Sequence, residues 1–184
     1  MDERYSRQIL FSGIGDEGQR RLLAARVLIV GCGALGSAHA ESLARAGAGH
    51  LRIVDRDFVE PSNLQRQTMF TESDAEQRLP KAIAAANHLR QINSEIEIEP
   101  HILDINYSSV ERLLDGCDLV IDAVDRWLVR VPLVNTMAWA SGVRTGVTRI
   151  IVTRAASGMA AVARQEGSST APLSRRTIRR SRSW

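Results

Sequence analysis

The feature that most constrains the fold is a short apolar strand followed at once by a glycine-rich turn. Arg26 to Val30 is a β-branched run, and Gly31 to Gly36 follows it with the sequence Gly-Cys-Gly-Ala-Leu-Gly. A helical stretch, Ser37 to Ala46, comes next, and a second predicted strand, Leu51 to Asp55, ends in an acid nineteen positions after the last glycine. This order of strand, G-x-G-x-x-G turn, helix and acid-ended strand is typical of a nucleotide-binding βαβ unit.

Each glycine of the turn, and the acid after it, has an expected role. Gly31 permits a tight turn, Gly33 lets a phosphate approach the backbone, and Gly36 lets the helix pack closely on the strand. Asp55 is expected to accept a hydrogen bond from a ribose hydroxyl. The alternative is that the glycines only form a strand-to-helix turn and bind nothing.

Strand and helix patterns alternate along the chain as far as about Val143. The apolar run Leu119 to Ala123 predicts a third buried strand, and the alternating Ile and Glu residues from Glu95 to His101 predict a strand near a sheet edge. We therefore predict a doubly wound, Rossmann-like α/β fold, in which a parallel sheet carries helices on both faces. The expected helices are two short N-terminal ones within Tyr5 to Arg26, then Pro80 to Gln91, Val110 to Leu114, and Trp127 to Ser141.

Composition argues against several other classes of protein. No apolar run approaches the roughly 20 residues that cross a bilayer, and the charged start, Met1 to Arg4, lacks the apolar segment of a secretion signal. The two cysteines, Cys32 and Cys117, are too few for a disulfide framework or an all-cysteine zinc site. We therefore expect both cysteines to be packing residues, no zinc in this chain, and a cytoplasmic location.

The formal net charge of +3 is unevenly distributed along the chain. Residues 144–184 contain nine arginines and one glutamate, so the remainder is mildly acidic. We predict a nucleotide-binding domain over residues 1–143 and an Arg/Ser-rich, largely disordered tail over residues 144–184, with Ile150 to Val152 as one candidate strand. The tail arginines admit nucleic-acid binding, but no aromatic residues are interleaved with them, which argues against it.

A long polar segment, Asp57 to Glu76, follows the second strand and suits phosphate chemistry. It contains Asn63, Arg66 and Gln67, and Lys81 lies just beyond it at the start of a helix. A nicotinamide enzyme does not need these groups, whereas a reaction that expels pyrophosphate does, because negative charge develops on the leaving phosphates. Taken singly, Arg66 and Lys81 have the alternative interpretation of solvated surface charges.

Acidic residues also follow the third buried strand, in the sequence Asp122-Ala123-Val124-Asp125. Carboxylates at this edge of the sheet can hold a Mg²⁺ ion that bridges phosphates. Asp125 is our candidate ligand, with Asp122 as the second. The alternative is that Asp125 only caps the following helix.

Together these motifs resemble the ThiF, MoeB and HesA adenylyltransferases, bacterial relatives of ubiquitin-activating enzymes. The resemblance runs from Arg4 to about Val143, and Val54 to Glu60 looks most like the ThiF-type branch that serves thiamine thiazole synthesis. The matching segments are Arg4 to Ile9 (opening motif), Gly31 to Gly36 (nucleotide loop), Ser62 to Gln67 (signature), Pro80-Lys81 (lysine) and Asp122 to Asp125 (magnesium aspartate).

The resemblance implies ATP-dependent adenylylation of the C-terminal carboxylate of a ubiquitin-like sulfur carrier that ends in Gly-Gly, as in thiamine or molybdopterin type sulfur transfer. Residues 1–143 are then the ATP-binding adenylation domain of a cytoplasmic homodimer. By position in the motifs, Asp55 holds the ribose, Asp125 holds Mg²⁺, and Arg7 reaches the triphosphate of the neighbouring subunit. The phosphates are assigned to Asn63, Arg66 and Lys81, with Asp57 and Gln67 as further nucleotide-binding groups of the polar loop.

Two departures from the family pattern leave other interpretations open. Arg126 stands where relatives usually have Asn, and an added cation there can pair with Asp125 and weaken metal binding. After about Gly142 the family's further strands, C-x-x-C zinc pairs and catalytic cysteine are not recognisable, and the Arg-rich tail begins abruptly, as a frameshift or truncated gene would produce. On this pattern we expect the adenylylation activity of the shortened chain to be impaired. The alternatives are a non-catalytic remnant that binds ATP or dimerises and, ranked below it, an NAD-dependent oxidoreductase.

Overall fold

Among the residues that the structure describes, five parallel strands form one sheet in the order β3-β2-β1-β4-β5. The computed structural model describes residues 3–124 and 144–145, which belong to the first of two units, residues 1–148. The strands are β1 (Arg26–Val30), β2 (His50–Val54), β3 (Glu97–His101), β4 (Leu119–Asp122) and β5 (Arg144–Thr145).

Helices connect the strands within the described residues. None of these helices is long and apolar enough to cross a membrane. The α-helices are α1 (Ser6–Ile9), α2 (Gly15–Ala24), α3 (Ala34–Ala46), α4 (Glu72–Glu76), α5 (Lys81–Ile92) and α6 (Tyr107–Leu114), and 3-10 helices span Glu3–Tyr5 and Pro61–Asn63.

Buried side chains lie on both faces of the sheet because successive residues of a strand point to opposite sides. On one face, Ile29 and Ile53 belong to a cluster with the small alanines of α3 and α5, which let these helices pack closely. On the other face, Leu28 belongs to a cluster with Val110 and Leu113 of α6. The prediction of a doubly wound parallel sheet with helices on both faces is therefore confirmed.

The order of the strands reverses beside β1. The chain runs outward from β1 to β2 and β3, and then crosses to β4 on the other side of β1. Val30 and Asp122, the last residues of β1 and β4, are paired in register. In open α/β sheets, ligands bind in the crevice at such a switch point, at the carboxyl ends of the strands.

A tight glycine turn leads from β1 into α3. Gly31 has φ of +87°, a conformation that favours glycine, and its N–H donates to the Val54 carbonyl at 2.8 Å. A Cβ on Gly36 would overlap the Gly31 carbonyl oxygen, so only glycine permits this close approach of helix and turn. At Gly33, by contrast, the nearest atom to an added Cβ would be Gln67 Nε2 at 3.8 Å.

Most element boundaries lie within one residue of the sequence-based predictions, but β3 begins two residues later than predicted and α6 begins three residues earlier. Strand β2 begins one residue earlier than predicted, and α3 begins at Ala34, inside the glycine motif. The polar segment contains a helix, α4, that was not predicted, and β5 occupies the first two residues of the predicted tail. The predicted helix Trp127 to Ser141 and the rest of the tail lie outside the described residues.

Edge strand β3 is joined to β2 by a charged network centred on Glu99. Its carboxylate accepts a hydrogen bond from Arg52 Nε at 2.8 Å, and lies 3.0 Å from His50 Nε2 and 2.7 Å from His101 Nε2. Burial acts to raise the pKa of Glu99, but the hydrogen bonds from Arg52 and His101 outweigh it and lower the pKa to about 2.

We expect Glu99→Gln to destabilise the protein at pH 7 by about 1 kcal/mol, because it removes the charged acceptor of these hydrogen bonds. The loss is no larger because solvent screens this partly exposed carboxylate. A lowered pKa stabilises the fold above the unfolded value of about 4.3, and this stabilisation is lost as pH falls toward about 2. In urea unfolding, the difference in free energy of unfolding between variant and wild type should therefore become smaller from pH 5 to pH 3. Glu97→Gln on the same strand is the control, since that side chain is 70% exposed; an equal loss there would contradict this role of Glu99.

We expect Gly36→Ala to destabilise the fold by about 3 kcal/mol, because its methyl group would overlap backbone that cannot move aside. Gly33→Ala is the matched control. It should lower the free energy of unfolding by less than about 1 kcal/mol, since the space at Gly33 is open. The only loss is that alanine is a poorer N-cap residue for α3 than glycine. Urea unfolding of both variants measures the difference, and similar losses would contradict the close-approach explanation.

Candidate functional site

Asp55 connects the glycine turn to the polar segment. It directly follows β2, and its Oδ2 accepts a hydrogen bond from the Cys32 N–H at 2.6 Å. Its Oδ1 accepts from the Asp57 N–H at 2.8 Å. One carboxylate thus holds two backbone segments together, and each of its oxygens keeps a lone pair for a further donor.

The start of the polar segment is paired with the start of α5. Phe58 and Pro80 form an antiparallel bridge, and the Val59 N–H donates to the Leu79 carbonyl at 2.8 Å. The Lys81 N–H donates to the Asp57 carbonyl at 2.9 Å. These bonds fix where α5 begins relative to Asp55 and the glycine turn.

Lys81 is the first residue of α5, and its side chain is only 9% exposed. Its Nζ lies 3.7 Å from Asp57 Oδ2. Hydrogen bonds through Asp57 and Asp55 connect the start of α5 to the glycine turn. A nearly buried cation so connected to a helix-opening turn is a suitable partner for a phosphate.

The signature segment forms a compact 3-10 turn, Pro61–Asn63, closed by its own side chains. A capping box links Glu60 and Asn63, and the Asn63 side chain is buried. Arg66 is exposed, and its Nη1 donates to the Ser62 carbonyl at 3.0 Å. Asn63 and Arg66 therefore lie in an ordered loop, but no hydrogen bond joins either side chain to the glycine turn.

Gln67 brings this loop to the glycine turn. Its side chain is 4% exposed, and its Nε2 is the nearest group to the open space at Gly33. Its Oε1 is buried without a hydrogen-bond partner among the described residues. A buried amide with an unsatisfied oxygen is costly, so a ligand or water at this point would relieve a real deficit.

The carboxyl end of β4 carries a half-buried acid. Asp122 Oδ1 accepts from the Val124 N–H at 3.2 Å, while its Oδ2 is buried without a partner among the described residues. Burial raises the pKa of Asp122, and the hydrogen bond from Val124 only partly offsets it. A nearby cation would act in the opposite direction and lower this pKa. Asp125 lies outside the described residues.

The part of the chain that the structure describes contains no group of three or more His, Cys, Asp or Glu side chains suited to a metal ion. Magnesium does not need one, because it is usually held by one or two carboxylates together with substrate phosphates and water. The unpartnered oxygen of Asp122 is an observed donor that fits this pattern. A magnesium site at the end of β4 is therefore compatible with the residues present.

Arg7 precedes all the other predicted site residues in the sequence. It lies on α1, is exposed, and has no hydrogen bond or ion pair to any other described residue. The structure thus brings together Gly31, Asp55, Asp57, Gln67 and Lys81, together with the other two glycines. It does not bring Arg7 into contact with them.

Neither cysteine has the properties of a nucleophile. Cys32 is fully buried, and burial, followed by the negative charge of Asp55, raises its pKa to about 12. Burial also raises the pKa of Cys117. Both thiols are therefore protonated near neutral pH, which agrees with the expected packing roles.

Sequence reasoning missed the residues that order the polar loop. Thr71 and Asp74 form a capping box at the start of α4, and Asp74 Oδ2 lies 2.7 Å from His88 Nε2 of α5. Glu60 closes the turn that contains Asn63. The spacing T-x-x-D is a recognisable helix-start signal that would have revealed α4, whereas the contact with His88 leaves no local sequence signal.

Comparison with known proteins identifies the family. The model of the ThiF family matches residues 5–167, which extends past Val143, where the resemblance in the sequence motifs ends. The sulfur carrier protein ThiS adenylyltransferase of Bacillus subtilis is 45% identical over 143 residues, covering 78% of this chain and 42% of the relative. The SAMP-activating enzyme E1 of Haloferax volcanii is 40% identical over 77% of this chain and 51% of its own length.

Solved structures with the same fold are related at lower identity. Escherichia coli MccB, crystallised with AMPCPP and MccA, has a TM-score of 0.70 and 28% identity over 78% of this chain and 44% of that chain. E. coli tRNA N6-threonylcarbamoyladenosine dehydratase, TcdA, in complex with AMP, has a TM-score of 0.66 and 27% identity. The match covers 71% of this chain and 52% of that chain. The chain thus spans about half the length of the relatives it matches. On the family match and these identities, the chain belongs to the ThiF family.

Proposed function

We propose that the protein uses ATP to adenylylate the C-terminal carboxylate of a ubiquitin-like sulfur carrier that ends in Gly-Gly. The observation that carries the proposal is the hydrogen-bonded frame that joins the glycine turn, Asp55 and Lys81. It connects the open backbone at Gly33, a ribose acceptor and a buried cation. The names of the two relatives, a ThiS adenylyltransferase and a SAMP-activating enzyme, support the choice of carrier.

The nucleotide binds at the carboxyl ends of β1 and β4 in this proposal. The open backbone at Gly33 and the positive N-terminal end of α3 receive the phosphates. Asp55 accepts from the ribose, using the lone pairs that its bonds to the backbone leave free. The Nε2 of Gln67 donates toward the same opening.

The reaction is a displacement at the α-phosphorus. An oxygen of the carrier's carboxylate forms a bond to that phosphorus, the bond from phosphorus to the α–β bridging oxygen breaks, and pyrophosphate leaves with the electron pair. Charge therefore grows on the leaving phosphates, where Lys81, Arg66 and the Asn63 amide stabilise it. No protein nucleophile is required, in keeping with the high pKa of Cys32.

Magnesium is held by Asp125 in this proposal, with Asp122 as the second candidate. When bound, the ion neutralises phosphate charge and so favours departure of pyrophosphate. The unpartnered Oδ2 of Asp122 supports a cation at the end of β4. Arg126 follows Asp125 directly in the sequence, where relatives usually have Asn.

The protein acts as a homodimer in this proposal, and Arg7 completes the site of the neighbouring subunit. Arg7 has no partner among the described residues of its own chain. It lies close in sequence to Leu10 and Phe11, which are 75% and 65% exposed and would be covered by a second copy. The ThiS-type relative supports the thiamine branch over the molybdopterin branch.

The first test is exchange of labelled pyrophosphate into ATP. We expect exchange that depends on a Gly-Gly-ending carrier and falls at least about hundredfold in Lys81→Met, which removes the charge but keeps the buried stem. Arg21→Ala, an exposed cation on α2, is the control and should leave exchange unchanged. Thiamine-type and molybdopterin-type carriers, compared side by side, identify the branch.

Two outcomes would favour the alternatives. ATP binding by calorimetry without exchange for any Gly-Gly carrier would indicate a non-catalytic ATP-binding protein. Tighter binding of NAD than of ATP, unchanged in Arg66→Ala and Lys81→Met, would indicate an oxidoreductase that uses the same glycine turn. Either result would contradict the proposed adenylylation.

A second test concerns Arg7. We expect Arg7→Ala and Lys81→Met to be inactive alone, but a refolded mixture of the two to recover about a quarter of wild-type exchange, because half of the random dimers then contain one intact site. A mixture that stays inactive would contradict an Arg7 that acts across subunits.

A further inference from the structure

Lys81 forms an ion pair with Asp57, and the two side chains differ sharply in solvent exposure. The lysine side chain is 9% exposed, and the Asp57 side chain, 3.7 Å away, is 60% exposed. A buried cation without a counter-charge is costly, so the pair is needed while no phosphate is present. The carboxylate is the half of the pair that can return to water at little cost.

The backbone around Asp57 does not depend on its carboxylate. The Asp57 N–H donates to Asp55 Oδ1, and its carbonyl accepts from the Lys81 N–H. Both bonds persist if the Asp57 side chain rotates away from the lysine. The loop and the start of α5 therefore stay in place when the ion pair opens.

A second cation is ready to receive the displaced carboxylate. Arg56 Nε lies 3.6 Å from Asp57 Oδ1, and the Arg56 side chain is 46% exposed and also pairs with Asp104. Asp57 thus lies between a buried cation and an exposed one. When the Asp57 carboxylate moves away from Lys81, Arg56 still compensates the negative charge of the carboxylate.

We propose that Asp57 is an internal counter-ion of Lys81, which a phosphate group of the nucleotide displaces. This inference rests on the proposed function and deepens it. It replaces the expectation that Asp57 binds the nucleotide, because Asp57 then acts through Lys81 as a positioning residue and does not itself contact the nucleotide. The carboxylate keeps the ammonium correctly placed before ATP arrives. It also makes weakly charged ligands poor competitors for the lysine, since a ligand must bring enough negative charge to replace it.

The consequence is measurable because the counter-ion opposes phosphate binding. Asp57→Asn keeps the shape and both backbone bonds but removes the competing charge. We expect it to tighten ATP binding at least about threefold and to leave adenosine binding unchanged. In a Lys81→Met background, the same substitution should have no effect on ATP affinity.

Isothermal titration of the full chain with ATP, adenosine and inorganic tripolyphosphate tests this. Asp104→Asn is the matched control, since it removes a carboxylate from Arg56 but not from Lys81, and it should leave all three affinities unchanged. Tighter binding of ATP and tripolyphosphate in Asp57→Asn, lost in Lys81→Met, supports the counter-ion role. Unchanged or weaker ATP binding, or weaker adenosine binding, overturns it while leaving an ATP-binding wild type consistent with the proposed function.

Failure of the proposed function has a different signature. A wild-type chain that binds tripolyphosphate but not ATP would contradict a nucleotide site while the effect of Asp57→Asn still tests the counter-ion. If neither ATP nor tripolyphosphate binds to the wild type or to Asp57→Asn, both proposals are overturned.

Discussion

The close approach of Gly36 to the Gly31 carbonyl is the contact on which the candidate site depends. No side chain fits between them, so α3 begins directly at the end of β1. That geometry leaves the backbone at Gly33 open and directs the Cys32 N–H toward β2, where Asp55 accepts it. The backbone geometry of the candidate site thus depends first on two positions without a side chain, Gly33 and Gly36. The polar groups are added to that geometry.

Around this turn, the polar loop is ordered by short-range hydrogen bonds and by apolar side chains, Val59, Met69 and Phe70, that are buried in the main core. The Glu60–Asn63 and Thr71–Asp74 capping boxes close two turns locally, and His88 connects the second of them to α5. The bridge between Phe58 and Pro80 fixes the two ends of the loop. A segment of this length is therefore held without a large apolar core of its own, and its polar side chains keep defined positions.

The sequence predicted best what local physics controls. A strand buried on both faces is apolar throughout, so the bounds of β1 were predicted correctly, and the alternation of Ile and Glu correctly indicated the edge position of β3. The start of α3 was misplaced because Gly33, which lacks a capping side chain, serves as its N-cap.

Contacts between distant segments could not be predicted in the same way. The ion pair between Asp57 and Lys81, the hydrogen bond from Cys32 to Asp55 and the unpartnered oxygen of Asp122 depend on how the strands are arranged in space. The sequence motifs identified Asp55, Lys81 and Asp122 as candidates. Their partners became known only when the sheet order was known.

The strand order also bears on the sequence of events during folding. Strands β1 and β2 are joined through α3 alone, whereas β1 meets β4 only after the chain has passed through β2, β3 and α6. The hydrogen bond from the Arg26 N–H to Asp118 closes a separation of 92 residues. Because long loops carry a larger closure entropy, we expect β4 to join a sheet in which β1 and β2 are already paired. During synthesis, the glycine turn would then emerge and fold well before β4 is present beside it, and a nascent chain would complete the candidate site only when β4 docks.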